Sequence, residues 1–553
     1  MSADMPNRLF LEGWRPYAWI AGVIAILYSK SLFFGYTYLD DTALILVNHD
    51  FLSKAANIGQ AFLQKVFADS YLPYYRPILT VSLILDAQIG GTSLFFYHVT
   101  NILFHVAASC LVLLLLARLG YGRKRSFIFG MIFAVHPVLS QGVAWIPGRN
   151  DTLMAVFLLA SFISLMEMLR TERGPYYAWH LVLFLLAIFT KETALVLIPV
   201  SLVYLYLVAK ERLLSRKVMV LAAGWAVCIC LWYSFRQVAV RDSMDITVID
   251  AWTLLIAHLP AAIQFTGKIF FPFNLSVFPI IQDTTFLYGV AASAALFLAL
   301  LLTSDRRYNY IIFGLSWAIL FMLPSLMRVN YKVSADFLEH RVYVPMIGFF
   351  ILVLETDLVK KAKGAALIAA AGLIIFGFAS IAFNHMDNFR GRLAFWSNAV
   401  MTSPHSTFAR INMGHAYFED GRLSAAEDEF RKCLAIDPLE PASLFNMGEI
   451  YLKKGLFQEA QAFFRKTLAV YPFYDNAYLE LGALYYKQGK FEKAEWAWKR
   501  TIEMNPKNVA ANKFLAIFYY ERKDYDKARQ HVKRLKAMGV TPPPGFMKSL
   551  SAE

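Results

Sequence analysis

The sequence predicts an all-α protein in two parts: a polytopic membrane helix bundle of about eleven spans, then a superhelix of tetratricopeptide repeats. Three observations carry this. Of the 553 residues, 58% are hydrophobic and only 17% charged, where a soluble chain is about half apolar and about a quarter charged. Apolar stretches near the roughly 20 residues that cross a bilayer recur from residue 17 to residue 385. Past residue 404 a strict 34-residue period replaces them.

The spans are expected near 17–35, 93–117, 126–145, 151–169, 177–190, 193–209, 218–235, 286–303, 311–327, 342–358 and 365–385. The first runs into "FFGYTYLDD" with no small-residue cleavage site, so it reads as an uncleaved span. The short connections "RLGYGRKR" (118–125), "RTERG" (170–174), "KERLLSRK" (210–217), "DRRY" (305–308) and "KKAK" (360–363) are all basic and all fall on one face. By the positive-inside rule that face is cytoplasmic. The excess of 54 Lys and Arg over 40 Asp and Glu, a net charge of +14, is thereby a property of membrane loops rather than a footprint for nucleic acid. Two outward segments are not simple loops. Residues 51–91 have helical apolar spacing between polar positions and suit a helix in the interface. Residues 252–271, interrupted by Pro260, Gln264 and Lys268, read as a re-entrant or surface-lying helix, because a crossing there would invert every later basic loop. Cys110, Cys228 and Cys230 lie in apolar segments and Cys433 in the soluble part, so no external disulfide framework is expected.

In the C-terminal part Gly414, Gly448 and Gly482 are spaced at 34 residues. The same step relates Tyr417, Tyr451, Tyr485 and Tyr519, and also Ala426, Ala460, Ala494 and Ala528. This is the tetratricopeptide period. The domains are therefore placed at 1–390 (membrane part), 391–406 (linker), 407–541 (four repeats) and 542–553 (tail). Stacked repeats offer one concave face, whose candidates are Asn412, His415, Asn446, Glu449 and Glu480. Such a scaffold binds an acceptor protein, or it braces the membrane part or dimerises.

Ionisable residues at membrane depth are costly and usually functional. On the outward side they are Asp40, Asp41, Arg76, His136, Arg149, Asp151, Lys191, Glu192, Glu339, His340 and Arg341. Carboxylates with scattered cations at headgroup level suit a polyprenyl-phosphate sugar, whose tail lies in the bilayer. Phosphate leaves without a general acid, one carboxylate takes the proton of an attacking hydroxyl, and Arg and Lys stabilise the departing phosphate. Structural readings stand beside this one. The double Asp can cap the following helix, and Lys191–Glu192 can be an ion pair at a hairpin. No metal or other cofactor is expected; hard oxygen ligands at Asp40 and Asp41 leave a divalent ion open.

Six stretches occur in order: "YLDDTALILVNHDFL", "YYRPILTVSLILDAQIGGTSLFFYHVTNILFHVAA", "IFAVHPVLSQGVAWIPGRNDTL", "FTKETALVLIPVSLVY", "FPFNLSVF" and "EHRVYVPMIGF". With the repeats after them, the chain resembles the GT-C membrane glycosyltransferases, and within these the transmembrane and tetratricopeptide-repeat O-mannosyltransferases and their bacterial relatives. The resemblance implies that Asp40 is the catalytic base and Asp41 the second acid that organises the site. Arg149 and Asp151 take the places of the Arg and Asp of a "GRAD"-like turn. It implies transfer of one sugar from a polyprenyl-phosphate carrier to a Ser or Thr hydroxyl of an extracytoplasmic protein. Leu139 and Gln141 depart from the family's His and Glu, and His340 from its Arg, with Arg341 one place along; these changes bear on the sugar and the acceptor. Short loops and the absence of external cysteines point to a bacterial inner membrane with periplasmic repeats, or to an ER membrane with lumenal repeats in a eukaryote. The alternatives are a non-catalytic assembly scaffold, or an enzyme acting on a lipid or polysaccharide.

Overall fold

The computed structural model describes residues 11–67, 74–210, 216–240, 248–327, 337–362, 364–541 and 543–552. Helices form every regular element, with no strand among the described residues. The chain divides into two compact units, Met1–Pro404 and His405–Glu553.

In the first unit seven described helices are long and apolar enough to cross a bilayer: Arg15–Phe33, Leu94–Arg118, Ile146–Thr171, Val218–Ala239, Trp252–Phe270, Tyr308–Leu326 and Gly364–Phe389. The pair Arg123–Val135 and Pro137–Ala144, bent by 50°, makes an eighth if it is one span. The expected spans near 177–190, 193–209, 286–303 and 342–358 are shorter apolar helices here, Gly174–Thr190, Glu192–Leu207, Leu287–Leu301 and Pro345–Leu354. By length and composition, seven or eight described helices are thus able to cross.

The basic connections do converge. Glu355 has no exposed surface. It accepts from Tyr121 Oη at 2.8 Å and pairs with Arg307 at 2.5 Å and Lys360 at 2.8 Å. Connections 118–125, 305–308 and 360–363 therefore meet on one carboxylate. Arg118 and Arg170 meet likewise on Glu167, at 2.7 and 2.9 Å. Residues 211–217 of the remaining basic stretch lie outside those whose side chains are described.

Trp252–Phe270 is long enough to cross, yet its partners lie at the helix ends away from those basic connections. His258 Nδ1 meets Leu326 O at 2.9 Å, Gln264 donates to Ile281 O and Thr284 O, and His136 Nε2 meets Ile269 O at 2.8 Å. Elsewhere backbones approach through glycine: a Cβ on Gly348 would stand 2.5 Å from Gly314 O, so Pro345–Leu354 packs directly on Tyr308–Leu326. The stretch 391–406, expected as a linker, holds a helix, Arg392–Thr402. Its Asn398 and Thr402 bond to Val277 N and Ser276 Oγ inside the first unit.

The second unit is four helix pairs. Their first helices are Thr407–Glu419, Pro441–Lys453, Asp475–Lys487 and Val509–Glu521. The second helices are Leu423–Ile436, Phe457–Val470, Phe491–Met504 and Tyr525–Ala537. The 34-residue glycines sit where the paired helices cross: a Cβ on Gly448 would come 2.5 Å from the ring of Phe464. Between the helices of each pair the chain turns through a left-handed residue, Gly421, Gly455 and Gly489, but Lys523 in the fourth. Residues 544–552, at the end expected as a tail, are helical.

Candidate functional site

The acid pair lies on a tight turn wound around one of its own carboxylates. Asp41 is buried. Oδ2 accepts from Thr37 N at 2.5 Å and Thr37 Oγ1 at 3.1 Å, and Oδ1 from Leu39 N at 3.0 Å. Winding the turn this tightly leaves Tyr38 in the left-handed region, φ 59°, a conformation a side chain adopts only when its surroundings impose it. Burial pushes the Asp41 carboxyl above its ordinary range, and the donated hydrogen bonds only partly oppose this. Asp40, beside it, is half-buried. The two acids thus differ: Asp41 shapes the turn, and Asp40 retains solvent access.

A chain of contacts leads from this turn to the cations. Thr37 Oγ1 accepts from Trp145 Nε1 at 3.0 Å. The Trp145 ring lies 5.6 Å from that of His340. His340 Nδ1 meets Gln141 Oε1 at 3.0 Å, and its Nε2 stands 3.5 Å from Asp151 Oδ2. Gln141 donates through Nε2 to Val277 O, so its Oε1 is the acceptor and His340 Nδ1 carries the proton. Asp151 in turn holds Lys191 Nζ at 2.7 and 2.8 Å. Next to Lys191, Glu192 takes Arg76 in a fork, Nη2 at 2.8 Å and Nε at 3.3 Å, with the Tyr74 ring 4.6 Å from the guanidinium. Arg76 stands here because Pro77 starts a helix at the next residue, and Lys191 because Gly174–Thr190 has just ended. Glu192, at 40% side-chain exposure, is the open edge of the cluster, against 13% for Lys191 and 11% for Arg76. Residues from four separate stretches of sequence thereby form one alternating array of charge.

Other candidates are held inside the protein. Arg149 has no exposed surface. It pairs with Asp86 at 2.5 Å and donates to Asn101 Oδ1, Ser82 Oγ and Tyr97 O. These contacts hold it at the start of the helix that presents Asp151. His136 accepts from Val138 N and gives its other nitrogen to Ile269 O, so it caps the break before Pro137. Glu339, fully buried, binds Lys268 at 2.7 Å and Ser276 N at 2.7 Å, with His385 at 3.5 Å. Burial raises its carboxyl, but Lys268 and His385 outweigh that and hold it below its ordinary value. It anchors the turn on which His340 and the half-buried Arg341 stand.

Sequence reasoning missed Thr37, Asp86 and Trp145. Asp86 had a signal, a lone acid in "LTVSLILDAQ"; a threonine and a tryptophan in apolar surroundings have none. Among the described residues no group of three His, Cys, Asp or Glu is placed to hold a metal ion.

In the second unit the groove candidates occupy the first helices of successive repeats. Asn446 Nδ2 meets His415 Nε2 at 3.1 Å, and Asn412 turns back to Phe408 O. Glu449 is pushed up to about 7 by burial and by Glu480 on the next repeat, and burial raises Glu480 as well.

Residues 78–234 match the family described as dolichyl-phosphate-mannose-protein mannosyltransferase, and residues 411–475 and 479–539 match tetratricopeptide repeats. Protein O-mannosyl-transferase F38B6.6 of Caenorhabditis elegans is 23% identical over 389 residues, covering 66% of this chain and 54% of its own. Protein O-mannosyl-transferase TMTC3 of Mus musculus is 30% identical over 203 residues, covering 34% of this chain and 21% of its own. The chain thus spans about half the length of the first relative and a fifth of the second. Among solved structures, MamA matches at 20% identity with a TM-score of 0.24, over 27% of this chain and 87% of its own. In both its parts the chain resembles the transmembrane and tetratricopeptide-repeat O-mannosyltransferases.

Proposed function

We propose that this integral membrane protein is a glycosyltransferase that moves one sugar from a polyprenyl-phosphate carrier to a Ser or Thr hydroxyl of an extracytoplasmic protein. The observation that carries this reading is the continuous path from the double-Asp turn through Thr37, Trp145 and His340 to Asp151 and Lys191. It joins a carboxylate with solvent access to cations placed for a phosphate. In the reaction Asp40 takes the proton of the acceptor hydroxyl as its oxygen bonds to the sugar's anomeric carbon. The bond from that carbon to the phosphate oxygen breaks, and the polyprenyl phosphate leaves with inversion at carbon. Arg76 Nη1 and the third proton of Lys191, which have no partner among the described residues, receive the developing phosphate charge. The carrier is a substrate, and the reaction uses no cofactor. The repeats bind the acceptor polypeptide. The convergence of the basic connections supports a cytoplasmic position for that face, with the double Asp and the repeats periplasmic in a bacterial inner membrane.

Glycopeptide and intact-mass analysis of envelope proteins from cells with and without the gene tests this. The reading expects a hexose or deoxyhexose lost from defined Ser or Thr residues. Loss confined to a lipid or surface polysaccharide would overturn the protein acceptor, and an unchanged glycome would leave the scaffold reading in its place.

A further inference from the structure

The end of the membrane unit opposite the charge array holds a second polar site that sugar transfer does not use. Glu167 and Arg149 belong to one helix, Arg149–Thr171, so at about 1.5 Å per residue the two sites lie roughly 25 Å apart. There a cleft of about 510 Å³ is lined by Arg118, Glu167, Arg170 and Lys210 at its polar side and by Tyr204 and Val208 among its apolar walls.

Its electrostatics follow from how Glu167 is used. The carboxylate spends one oxygen on Arg118 at 2.7 Å and the other on Arg170, through Nη2 at 2.9 Å and Nε at 3.1 Å. Glu167 is itself buried and fixes both guanidiniums. Lys210 has no acidic partner among the described residues; its amino group stands 6.0 Å from the Tyr206 ring. Among the described residues the polar lining carries three cations against one carboxylate. Simple neutralisation of helix C-termini would account for Arg118 and Arg170. Lys210, in the connection that follows the helix Leu197–Leu207, adds an exposed third cation to the same cleft.

On the helix Arg149–Thr171, Met166 and Leu169 stand about one turn apart among the apolar walls of the cleft. A ligand seated here meets fixed cations at its head and an apolar helix face along its tail. On the basic face of a membrane protein that is the chemistry of an anionic phospholipid.

We propose that this cleft seats the phosphodiester headgroup of an anionic phospholipid, held by Arg118, Arg170 and Lys210 around Glu167, with an acyl chain along Leu169 and Val208. The site is independent of the sugar-transfer reading.

The test is native mass spectrometry of the full-length protein in detergent, titrated with phosphatidylglycerol, with phosphatidylcholine of the same chains, and with glycerol 3-phosphate. The unchanged chain should prefer phosphatidylglycerol to phosphatidylcholine by tenfold or more. A basic residue near a membrane surface contributes about fivefold to anionic-lipid affinity, so the pair Arg170→Gln with Lys210→Gln should lose about 25-fold. Lys124→Gln with Lys361→Gln, which removes two charges from the same face outside the cleft, should leave affinity unchanged. All changed side chains are on the surface, and an unaltered melting temperature verifies folding. Equal loss in the two pairs, or no preference between the two lipids, would overturn the proposal. Glycerol 3-phosphate binding as tightly as the lipid would show a site for soluble phosphate and overturn it too.

Discussion

Glu449 should make the repeat unit less stable as pH rises, and Glu449→Gln should abolish that loss. The carboxylate sits on the first helix of the second repeat with Glu480 on the next. Its Oε1 is buried with no hydrogen-bond partner, and Lys453 offsets the two raising influences only in part. Its pKa is about 7 in the folded chain against an ordinary 4.5. Below 4.5 both states hold the proton, and the group has no effect. Between 4.5 and 7 the unfolded chain releases it while the folded chain keeps it, so stability falls with rising pH. Above 7 the penalty is complete. At about 1.4 kcal/mol per pKa unit the ceiling is about 3 kcal/mol. Partial solvent access reduces it, and about 1–2 kcal/mol is expected. Urea unfolding of residues 405–553 at a series of pH values, with and without the substitution, measures it. The difference between the two curves is the relevant quantity, because His531, pushed down to about 4 by burial and nearby cations, contributes with the opposite slope. The variant should gain stability over the parent from pH 5 to pH 7.5 and stay level above. A flat difference would refute the upward shift of the Glu449 carboxyl by burial and Glu480.

Other expectations are more local. Glu339→Ala leaves Lys268 buried and unpaired, which should destabilise the membrane unit by about 3–5 kcal/mol and lower its melting temperature in detergent, whereas Glu339→Ala with Lys268→Met should recover much of the loss. Lys523→Gly relieves a left-handed side-chain residue in the one repeat that lacks the turn glycine and should raise the urea midpoint of residues 405–553 by the equivalent of about 1 kcal/mol. A reporter active only outside the cytoplasm should be active when fused after residue 404 and silent when fused within 360–364; the reverse pattern would overturn the sidedness.

The repeats were legible because the first three keep a steric rule at a fixed step: Gly448, for example, leaves room for Phe464. That basic connections share one face was legible because those loops are short and alternate with apolar stretches. Hydropathy did not register that Lys191 ends the helix Gly174–Thr190 on a polar contact with Asp151. Within the site, residue type alone selected Arg76, Asp151, Lys191, Glu192 and His340. It could not separate them from Arg149, His136 and Glu339, which have the same chemistry but spend it on partners such as Asp86, Ile269 O and Lys268. Nor could adjacency say that Asp41 faces inward and Asp40 outward; that follows from the turn the Asp41 carboxylate closes on Thr37 and Leu39.

The measurement that bears most directly on the central claim is turnover of the purified Asp40→Asn variant with a polyprenyl-phosphate sugar and a Ser/Thr acceptor peptide. Asparagine keeps the size and the hydrogen bonds of Asp40 and removes the proton acceptor. The account predicts a kcat at least roughly 10²-fold lower, with unchanged expression and melting temperature and unchanged binding of the carrier. A variant that transfers sugar at the parent rate would contradict it, because the half-buried carboxylate beside the Asp41 turn would then have no part in the chemistry.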